Sequence, residues 1–166
     1  MNKRIRQYLG LAFAVLSYYV VHEGAHLLYA LSIGTFRCVR FPGLGIQIDV
    51  YAESMTNLQM GLFCLLGPVA TLCAAWMLTA AAGRLAKLPA KGIKACLYYT
   101  TAALLFLDPL YLSLLYSFVG GGDMNGISLL FPAYAVRFVS GGLLGFHTLL
   151  FVKHVLPIYR KSFEEI

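Results

Sequence analysis

The hydrophobic and polar positions of this chain divide it into four long apolar segments joined by short polar connections. A helix that spans the hydrocarbon core of a bilayer needs about 20 mainly apolar residues. Four segments meet this length, at residues 8–33, 58–82, 95–119 and 132–155. The pattern predicts an all-α membrane protein with about four transmembrane helices, folded as a single domain over residues 1–166.

The connection between the first two apolar segments, residues 35–54, has a different pattern. After a Pro-Gly pair at 42–43, apolar and polar residues alternate from Ile46 to Val50. Period-2 alternation after such a turn predicts a short membrane-associated β-hairpin. The hairpin is either a surface connector or an edge strand that pairs with an extended peptide. In the second case the residues that contact the peptide would be Ile46, Gln47 and Ile48.

The overall composition favours the same class of protein. Of the 166 residues, 60% are hydrophobic and 12% are charged, and the mean hydropathy is +0.74. Soluble domains carry about 45–50% apolar and about 25% charged residues. A soluble fold of this length could not bury so much apolar surface, so we expect a lipid bilayer to cover part of it. This composition argues against a soluble enzyme, a disordered chain and a secreted disulfide scaffold.

The basic residues cluster at the ends of the apolar segments, which is the distribution of membrane orientation signals. It argues against nucleic acid as a partner, despite a net charge of +6. With the N-terminus inside, three cations lie outside (Arg37, Arg40 and Arg137), and the remaining Lys and Arg residues lie inside. This asymmetry predicts that both termini are inside. The basic start is followed by an apolar run longer than the 7–15 residues typical of a signal peptide, which predicts a retained helix.

Several residues are assigned packing roles. None of the four cysteines forms a CxxC pair, so they are interpreted as small buried hydrophobes. His147, in the fourth segment, is predicted to hydrogen-bond between helices, and His154 is predicted to lie at the membrane interface. Three glycines of the fourth segment form a small-residue face suited to close helix packing, which would also allow a homodimer. They are Gly141, Gly142 and Gly145.

The first apolar segment contains His22-Glu23-Gly24-Ala25-His26, which matches the pattern H-E-x-x-H. Helix positions i and i+4 share a face, so both imidazoles can reach one metal ion. Glu23 is then placed to take a proton from water. A chance match is expected only about 0.002 times in a shuffled chain of this composition. Ionisable groups inside an apolar helix also cost about 2.5–3.5 kcal/mol each, which favours a functional role.

A catalytic zinc ion commonly takes a carboxylate as its third protein ligand. His22 lies about 21 Å along the first helix, toward the far face of the membrane. The second segment returns the chain to the near face, and the third segment brings it back to the far face, where Asp123 follows directly. Asp123 is therefore the predicted ligand, with the capping of a helix at Met124 as its alternative. The rival for the third ligand is Asp108. This residue is also a candidate to accept a hydrogen bond from a zinc-bound histidine, or to line a substrate channel. It precedes Pro109, which we expect to kink or break the helix.

The sequence around this motif resembles the site-2 protease family of intramembrane zinc metalloproteases. The stretch VVHEGAHLLYALSIGTFRCVRFPGLGI looks like that family's metal helix and β-region. LLGPVATLCAAWML looks like its Gly-Pro core helix, and GGGDMNGI looks like its Asp-containing segment. The resemblance implies Zn²⁺ bound by His22, His26 and Asp123, with Glu23 as general base. It also implies a transmembrane substrate cut within or near the bilayer.

The chain departs from the family pattern at two places. Thr71 stands where the family usually has Asn, and the Asp segment reads D-M-N-G instead of D-G. Asn125, within that segment, is a candidate for stabilising an oxyanion. Both departures leave the H-E-x-x-H motif intact.

The expected function is zinc-dependent hydrolysis of peptide bonds in or near transmembrane segments of membrane proteins or signal peptides. One alternative is a catalytically silent homologue that binds membrane proteins, and another is a metal carrier. The chain retains Glu23 and both histidines, which favours the peptidase. The second and fourth segments offer few polar side chains, which argues against a carrier.

Overall fold

The computed structural model of the chain describes residues 2–43, 45–120 and 122–164. Four of its helices are long and apolar enough to cross a membrane, and a two-stranded antiparallel sheet follows the first of them. The four helices are Lys3–Ser32, Asn57–Leu85, Lys91–Val119 and Ala133–Glu164. The predicted helical architecture and its hairpin are confirmed, with helix ends that differ from the predicted ones by up to nine residues.

The elements in chain order are α1 (Lys3–Ser32), β1 (Phe36–Arg40), β2 (Gln47–Val50), a 3-10 turn (Ala52–Ser54), α2 (Asn57–Leu85), α3 (Lys91–Leu110), a π-helical turn (Tyr111–Leu115), α4 (Tyr116–Val119), α5 (Gly122–Ile127), α6 (Ala133–Leu150), a second π-helical turn (Phe151–Val155) and α7 (Leu156–Glu164). The third long helix thus comprises α3, the first π turn and α4. The fourth comprises α6, the second π turn and α7.

Local sequence explains where α1 begins and ends and where α2 begins. The side chain of Asn2 accepts a hydrogen bond from the N–H of Arg4 and caps α1. Gly34, just beyond the end of α1, has φ 71°, a left-handed conformation that glycine adopts without strain. Thr56 and Gln59 form a reciprocal capping box at the start of α2.

Pro109 is predicted to kink or break the third long helix, and the break does not occur. It lies inside α3, and the helix passes directly into the π turn that begins at Tyr111. A proline has no N–H to donate to the carbonyl four residues earlier, which here belongs to Leu105. His147 Nδ1 lies 2.7 Å from that carbonyl oxygen and supplies the missing donor. Replacement of the lost hydrogen bond by a neighbouring helix explains why the proline is accommodated.

The two strands pair as an antiparallel hairpin in which Val39 is opposite Ile48. Asp49 forms ion pairs within this hairpin, at 2.8 Å from Arg40 and 3.7 Å from Arg37. Ile48 is buried and packs in a core cluster together with residues of α1, α2 and α5. The buried Ile48 side chain anchors β2 against the helices on the side of the predicted metal motif.

Polar and apolar residues are distributed in the opposite way to a soluble protein. In the most apolar stretch of each long helix, only 11% to 39% is buried inside the protein. Phe118 and Phe138 are more than four-fifths exposed. Asp108, Lys94 and His147 are instead fully buried. This distribution is compatible with a multi-pass membrane protein, because lipid would cover the exposed apolar side chains.

The described chain begins and ends at the same end of the helix bundle. The Arg6 guanidinium of α1 lies 5.6 Å from the centre of the Phe163 ring of α7. This contact puts the start of α1 beside α7. The orientation across a membrane, with both termini inside, stays a prediction.

Two predictions about packing are wrong in part. All four cysteines are free thiols, but Cys38 and Cys73 are exposed because they lie on outward faces of β1 and α2. Among the glycines of α6, a Cβ added at Gly141 would come within 4 Å of a neighbour, the Ser113 side chain. The positions of the other two predicted packing glycines, Gly142 and Gly145, face open space because no described helix covers that side. The predicted homodimer stays a prediction.

Candidate metal centre

Helix α1 brings three potential metal ligands together. His22, Glu23 and His26 each offer a ligand atom, and these atoms lie within 4.8 Å of one another. Both histidines are buried, at 5% and 3% exposure, and Glu23 is half-buried. The four-residue spacing puts the two imidazoles on one face, as the sequence predicts.

The Nε2 atoms of the two histidines converge on Asp123. His22 Nε2 lies 3.0 Å from Asp123 Oδ2, and His26 Nε2 lies 3.4 Å from Asp123 Oδ1. Asp123 is in the first turn of α5, a short helix that packs tightly on α2. Gly126 permits this packing, because a Cβ at that position would collide with the side chain of Cys64. The sequence-predicted His22, His26 and Asp123 therefore surround one point.

A glycine of α2 leaves space at that point. A Cβ built on Gly67 would lie 2.5 Å from His26 Nε2 and 2.8 Å from His22 Nε2. Real Cβ atoms do not approach so closely, so any larger residue would displace the imidazoles or fill the space between them. Gly67 belongs to the Gly-Pro pair noted in the sequence, and its role here is to keep helix α2 clear of the two nitrogens.

The other nitrogens of the two rings face acceptors. His26 Nδ1 lies 2.7 Å from the carbonyl oxygen of Phe63, and His22 Nδ1 lies 3.3 Å from Asp108 Oδ1. The second approach has the distance of an ion pair but not the alignment of a hydrogen bond. Metal-binding histidines almost always direct their second nitrogen at such an acceptor, which fixes the tautomer and the ring orientation.

Asp108 is held in place by two further hydroxyl groups. The Tyr18 hydroxyl donates to Asp108 Oδ1 over 2.6 Å, and the Thr71 hydroxyl donates to Oδ2. Asp108 therefore approaches His22 from the Nδ1 side, whereas Asp123 approaches from the Nε2 side. This geometry favours Asp123 as the ligand. Asp108 lies where its alternative role, that of an acceptor beside a metal-bound histidine, would put it.

The donor set and its spacing fit a zinc ion. Zinc binds histidine nitrogen and carboxylate oxygen at about 2.0–2.2 Å in a tetrahedral arrangement, which separates neighbouring ligand atoms by about 3.3 Å. The separations between Asp123 and the two histidines are 3.0 and 3.4 Å. Two buried imidazoles and one carboxylate also form the usual protein ligand set of a catalytic site, which leaves one position for water.

The charge state of Asp123 suits this role. Burial by itself would raise the pKa of Asp123, but hydrogen bonding to His22 and His26 and the attraction of these rings outweigh it and lower the pKa to about 2. The carboxylate is therefore ionised at neutral pH, as metal binding requires.

A cavity of about 390 Å³ opens beside the converging side chains. Its walls include Glu23, His26 and Asp123, together with the three hairpin residues predicted to contact a substrate. These are Ile46, Gln47 and Ile48. Glu23 Oε2 accepts a hydrogen bond of 2.9 Å from the N–H of Ile48, so this N–H of β2 points toward the site. Asn125 is exposed and does not line the cavity, which removes the geometric basis for its predicted oxyanion role.

Sequence reasoning missed four contributors to the site: Tyr18, Phe63, Gly67 and the contact made by Thr71. Helical spacing contained a signal for two of them. Tyr18 precedes His22 by four residues, and Thr71 follows Gly67 by four, so each shares a helix face with a site residue. No comparable local signal identifies a backbone carbonyl as a histidine partner.

No family model, curated protein or solved structure matches this chain.

Proposed function

We propose that this chain is an intramembrane zinc metallopeptidase that hydrolyses peptide bonds in or near transmembrane segments of membrane proteins or signal peptides. The observation that carries the proposal is the convergence of His22 Nε2, His26 Nε2 and Asp123 beside the Glu23 carboxylate. The resemblance of the H-E-x-x-H segment to site-2 proteases supports the same reaction class.

His22, His26 and Asp123 are the ligand set in this proposal. A zinc ion held there would supply Lewis-acid polarisation of the scissile carbonyl and would acidify the attacking water. The Phe63 carbonyl accepts from His26 Nδ1 and the Asp108 carboxylate faces His22 Nδ1, which favours the tautomer of each imidazole that presents Nε2. Tyr18 and Thr71 hold Asp108 in position for this task.

Glu23 acts as the general base and then as the general acid. Its Oε2 atom is held by the Ile48 N–H, which orients the carboxylate and leaves Oε1 to receive a proton from the attacking water. The same carboxylic acid then donates that proton to the leaving amine nitrogen. The fixed position of Glu23 on α1, one residue after His22, keeps the base beside the ligand set.

The β2 strand orients the substrate in an extended conformation. A helical transmembrane segment uses its peptide groups in internal hydrogen bonds, so the segment has to unwind before hydrolysis. Ile46, Gln47 and Ile48 line the cavity, so main-chain groups of this segment other than the Ile48 N–H would pair with an extended substrate. Main-chain pairing of this kind recognises an extended peptide independently of most of its side chains.

Metal analysis of the purified full chain in detergent, combined with a cleavage assay, tests the proposal. We expect about one zinc per chain in the wild type and in Glu23→Gln, because Glu23 is not a ligand in this arrangement. Cleavage of single-span membrane peptides, followed by mass spectrometry of the products, is expected to fall by about 10²- to 10⁴-fold in Glu23→Gln.

Glu53→Gln provides the matched control, since Glu53 is exposed in the 3-10 turn outside the site. It should retain both zinc and cleavage. A wild-type chain that contains no zinc, even after zinc is added back, would instead support a metal-free binding protein in which Asp123 only hydrogen-bonds the histidines. Equal cleavage by wild type and Glu23→Gln would contradict the peptidase mechanism.

A further inference from the structure

A second cavity, of about 420 Å³, lies at the end of the bundle that carries the starts of α1 and α3 and the end of α7. It is separated from the candidate metal centre by about 24 Å along α1, from Arg6 to His22 at 1.5 Å per residue. Polar and aromatic side chains from all three helices line it, among them Lys3, Arg6, Gln7, Tyr98, Tyr99 and Tyr159. The proposed peptidase mechanism uses none of these residues.

The cavity carries an excess of positive charge. Arg160, on its wall, forms an ion pair of 3.1 Å with Glu164. Within the described ranges, neither Lys3 nor Arg6 has an ion-pair partner, and Arg6 instead lies over the Phe163 ring. Two cations on this wall are thus available to an anion.

A buried lysine adds to the field at this end of the bundle. Lys94 is 1% exposed, and its Nζ donates 2.8 Å to the carbonyl oxygen of Ser162 and lies 5.3 Å from the centre of the same Phe163 ring. A neutral carbonyl and an aromatic face compensate the ammonium charge less completely than a carboxylate does. Lys94 thus adds a basic side chain beside the cavity, whose wall includes Ala95.

One hydroxyl group on the cavity wall lacks a partner. Tyr159 is 1% exposed, and its hydroxyl oxygen makes no hydrogen bond with any residue that the structure describes. A buried hydroxyl without a partner costs free energy, so native structures usually pair it. The hydroxyl oxygen is closed to solvent, so an acceptor bound in the cavity would reach this donor only with a movement of the adjoining wall.

The remaining surface of the cavity is apolar. Tyr98, Tyr99, Leu156 and Phe163 supply its hydrocarbon and aromatic walls. Leu9 on α1 and Val152 on the fourth long helix lie further toward the middle of the bundle, and each is 53% exposed. The site therefore combines cations and a hydrogen-bond donor at the helix ends with apolar surface that continues along the helices.

We infer that this cavity binds the phosphate group of an anionic phospholipid, whose acyl chains lie along the adjoining apolar surface. Lys3 and Arg6 neutralise the phosphate, and the Tyr159 hydroxyl donates to one of its oxygens. Basic pockets between transmembrane helices recognise lipid headgroups by this combination of charge and hydrogen bonding. The inference is independent of the zinc site and holds whether or not the chain is a peptidase.

Calorimetric titration of the full chain in an uncharged detergent tests the inference with three probes: dihexanoyl phosphatidylglycerol, dihexanoyl phosphatidylcholine and inorganic phosphate. We expect saturable binding of about one phosphatidylglycerol per chain. Arg6→Gln and Tyr159→Phe are each expected to weaken it by about tenfold, the size of one hydrogen bond to a charged group. Binding of the other two probes should be at least about tenfold weaker, since one lacks net charge and the other lacks acyl chains.

Arg84→Gln is the matched control, because Arg84 is an exposed cation in the last turn of α2, at the same end of the bundle, but is not on the cavity wall. It should change the affinity by less than about twofold. An equal loss in Arg84→Gln and Arg6→Gln would overturn the inference in favour of diffuse attraction. Equal affinity for inorganic phosphate or for phosphatidylcholine would also overturn it, as would unchanged binding by Tyr159→Phe together with unchanged binding by Arg6→Gln.

Discussion

The carboxylate of Asp108 lies 3.3 Å from Nδ1 of His22. The two residues belong to different long helices, and the contact is buried on both sides. Hydroxyl groups of Tyr18 and Thr71 hold the carboxylate, so it has little freedom to turn away. Asp108 therefore acts on the candidate metal centre through His22, and its loss should affect the strength of metal binding more than the number of ligands.

Asp123→Asn and Asp108→Asn are expected to differ in zinc binding. Removal of a ligand by Asp123→Asn should abolish stoichiometric zinc in the purified chain. Asp108→Asn should retain one zinc at saturation and lower the affinity by about 10- to 100-fold, the usual effect of an outer hydrogen-bond partner. Competition with a chelator of known affinity measures both. Complete loss of zinc in Asp108→Asn, with zinc retained in Asp123→Asn, would assign the ligand to Asp108 instead.

Gly67→Ala is expected to lose zinc without a change in any ligand. The added Cβ would lie 2.5 Å from His26 Nε2, so the imidazoles have to move or the metal position is filled. Gly83→Ala, on the same helix, is the control because a Cβ there meets no atom within 4 Å. The control should keep zinc and gain up to about 1 kcal/mol in helix stability. Equal zinc contents in the two variants would show that helix α2 does not limit the space at the histidines.

His147→Leu is expected to destabilise the bundle. His147 supplies a donor to the Leu105 carbonyl that Pro109 leaves without one, and it accepts a hydrogen bond of 3.0 Å from Trp76 Nε1. Hydrogen bonds between membrane helices contribute about 0.6 kcal/mol on average and up to about 1.7 kcal/mol. Two such bonds are lost, so the free energy of unfolding in mixed micelles should fall by about 1 to 3 kcal/mol. His154→Leu should have no comparable effect, since His154 is exposed. Unchanged stability of His147→Leu would mean that the freed carbonyl of Leu105 finds another donor.

Cysteine labelling in intact cells tests the predicted orientation. Cys38 is exposed on β1, at the opposite end of the bundle from the chain termini, so an inside N-terminus puts it outside. A variant whose other three cysteines are alanine should react with a membrane-impermeant maleimide without permeabilisation. Glu164→Cys, placed in a cysteine-free chain, should react only after permeabilisation. The reverse pattern would show that the Lys and Arg distribution does not set the orientation of this chain.

The sequence by itself determined the elements that depend on local spacing. Four apolar segments of sufficient length defined the four long helices, and alternation after a Pro-Gly turn defined the hairpin. The i, i+4 spacing of His22 and His26 also fixed their common helix face. Each of these features follows from backbone periodicity over fewer than 35 residues, which neighbouring residues encode directly.

Only the tertiary structure decided between partners that are distant in the chain. Asp123 lies 101 residues from His22 in sequence, and the order of the spans favoured it over Asp108 without giving its distance to the histidines. The packing of α5 on α2, and of α3 on α1, determines which nitrogen each carboxylate approaches. The same holds for the space left by Gly67 and for the cavity that gathers Lys3, Arg6 and Tyr159. Helix packing sets these distances through contacts along whole faces, and no local pattern in the sequence specifies which faces meet.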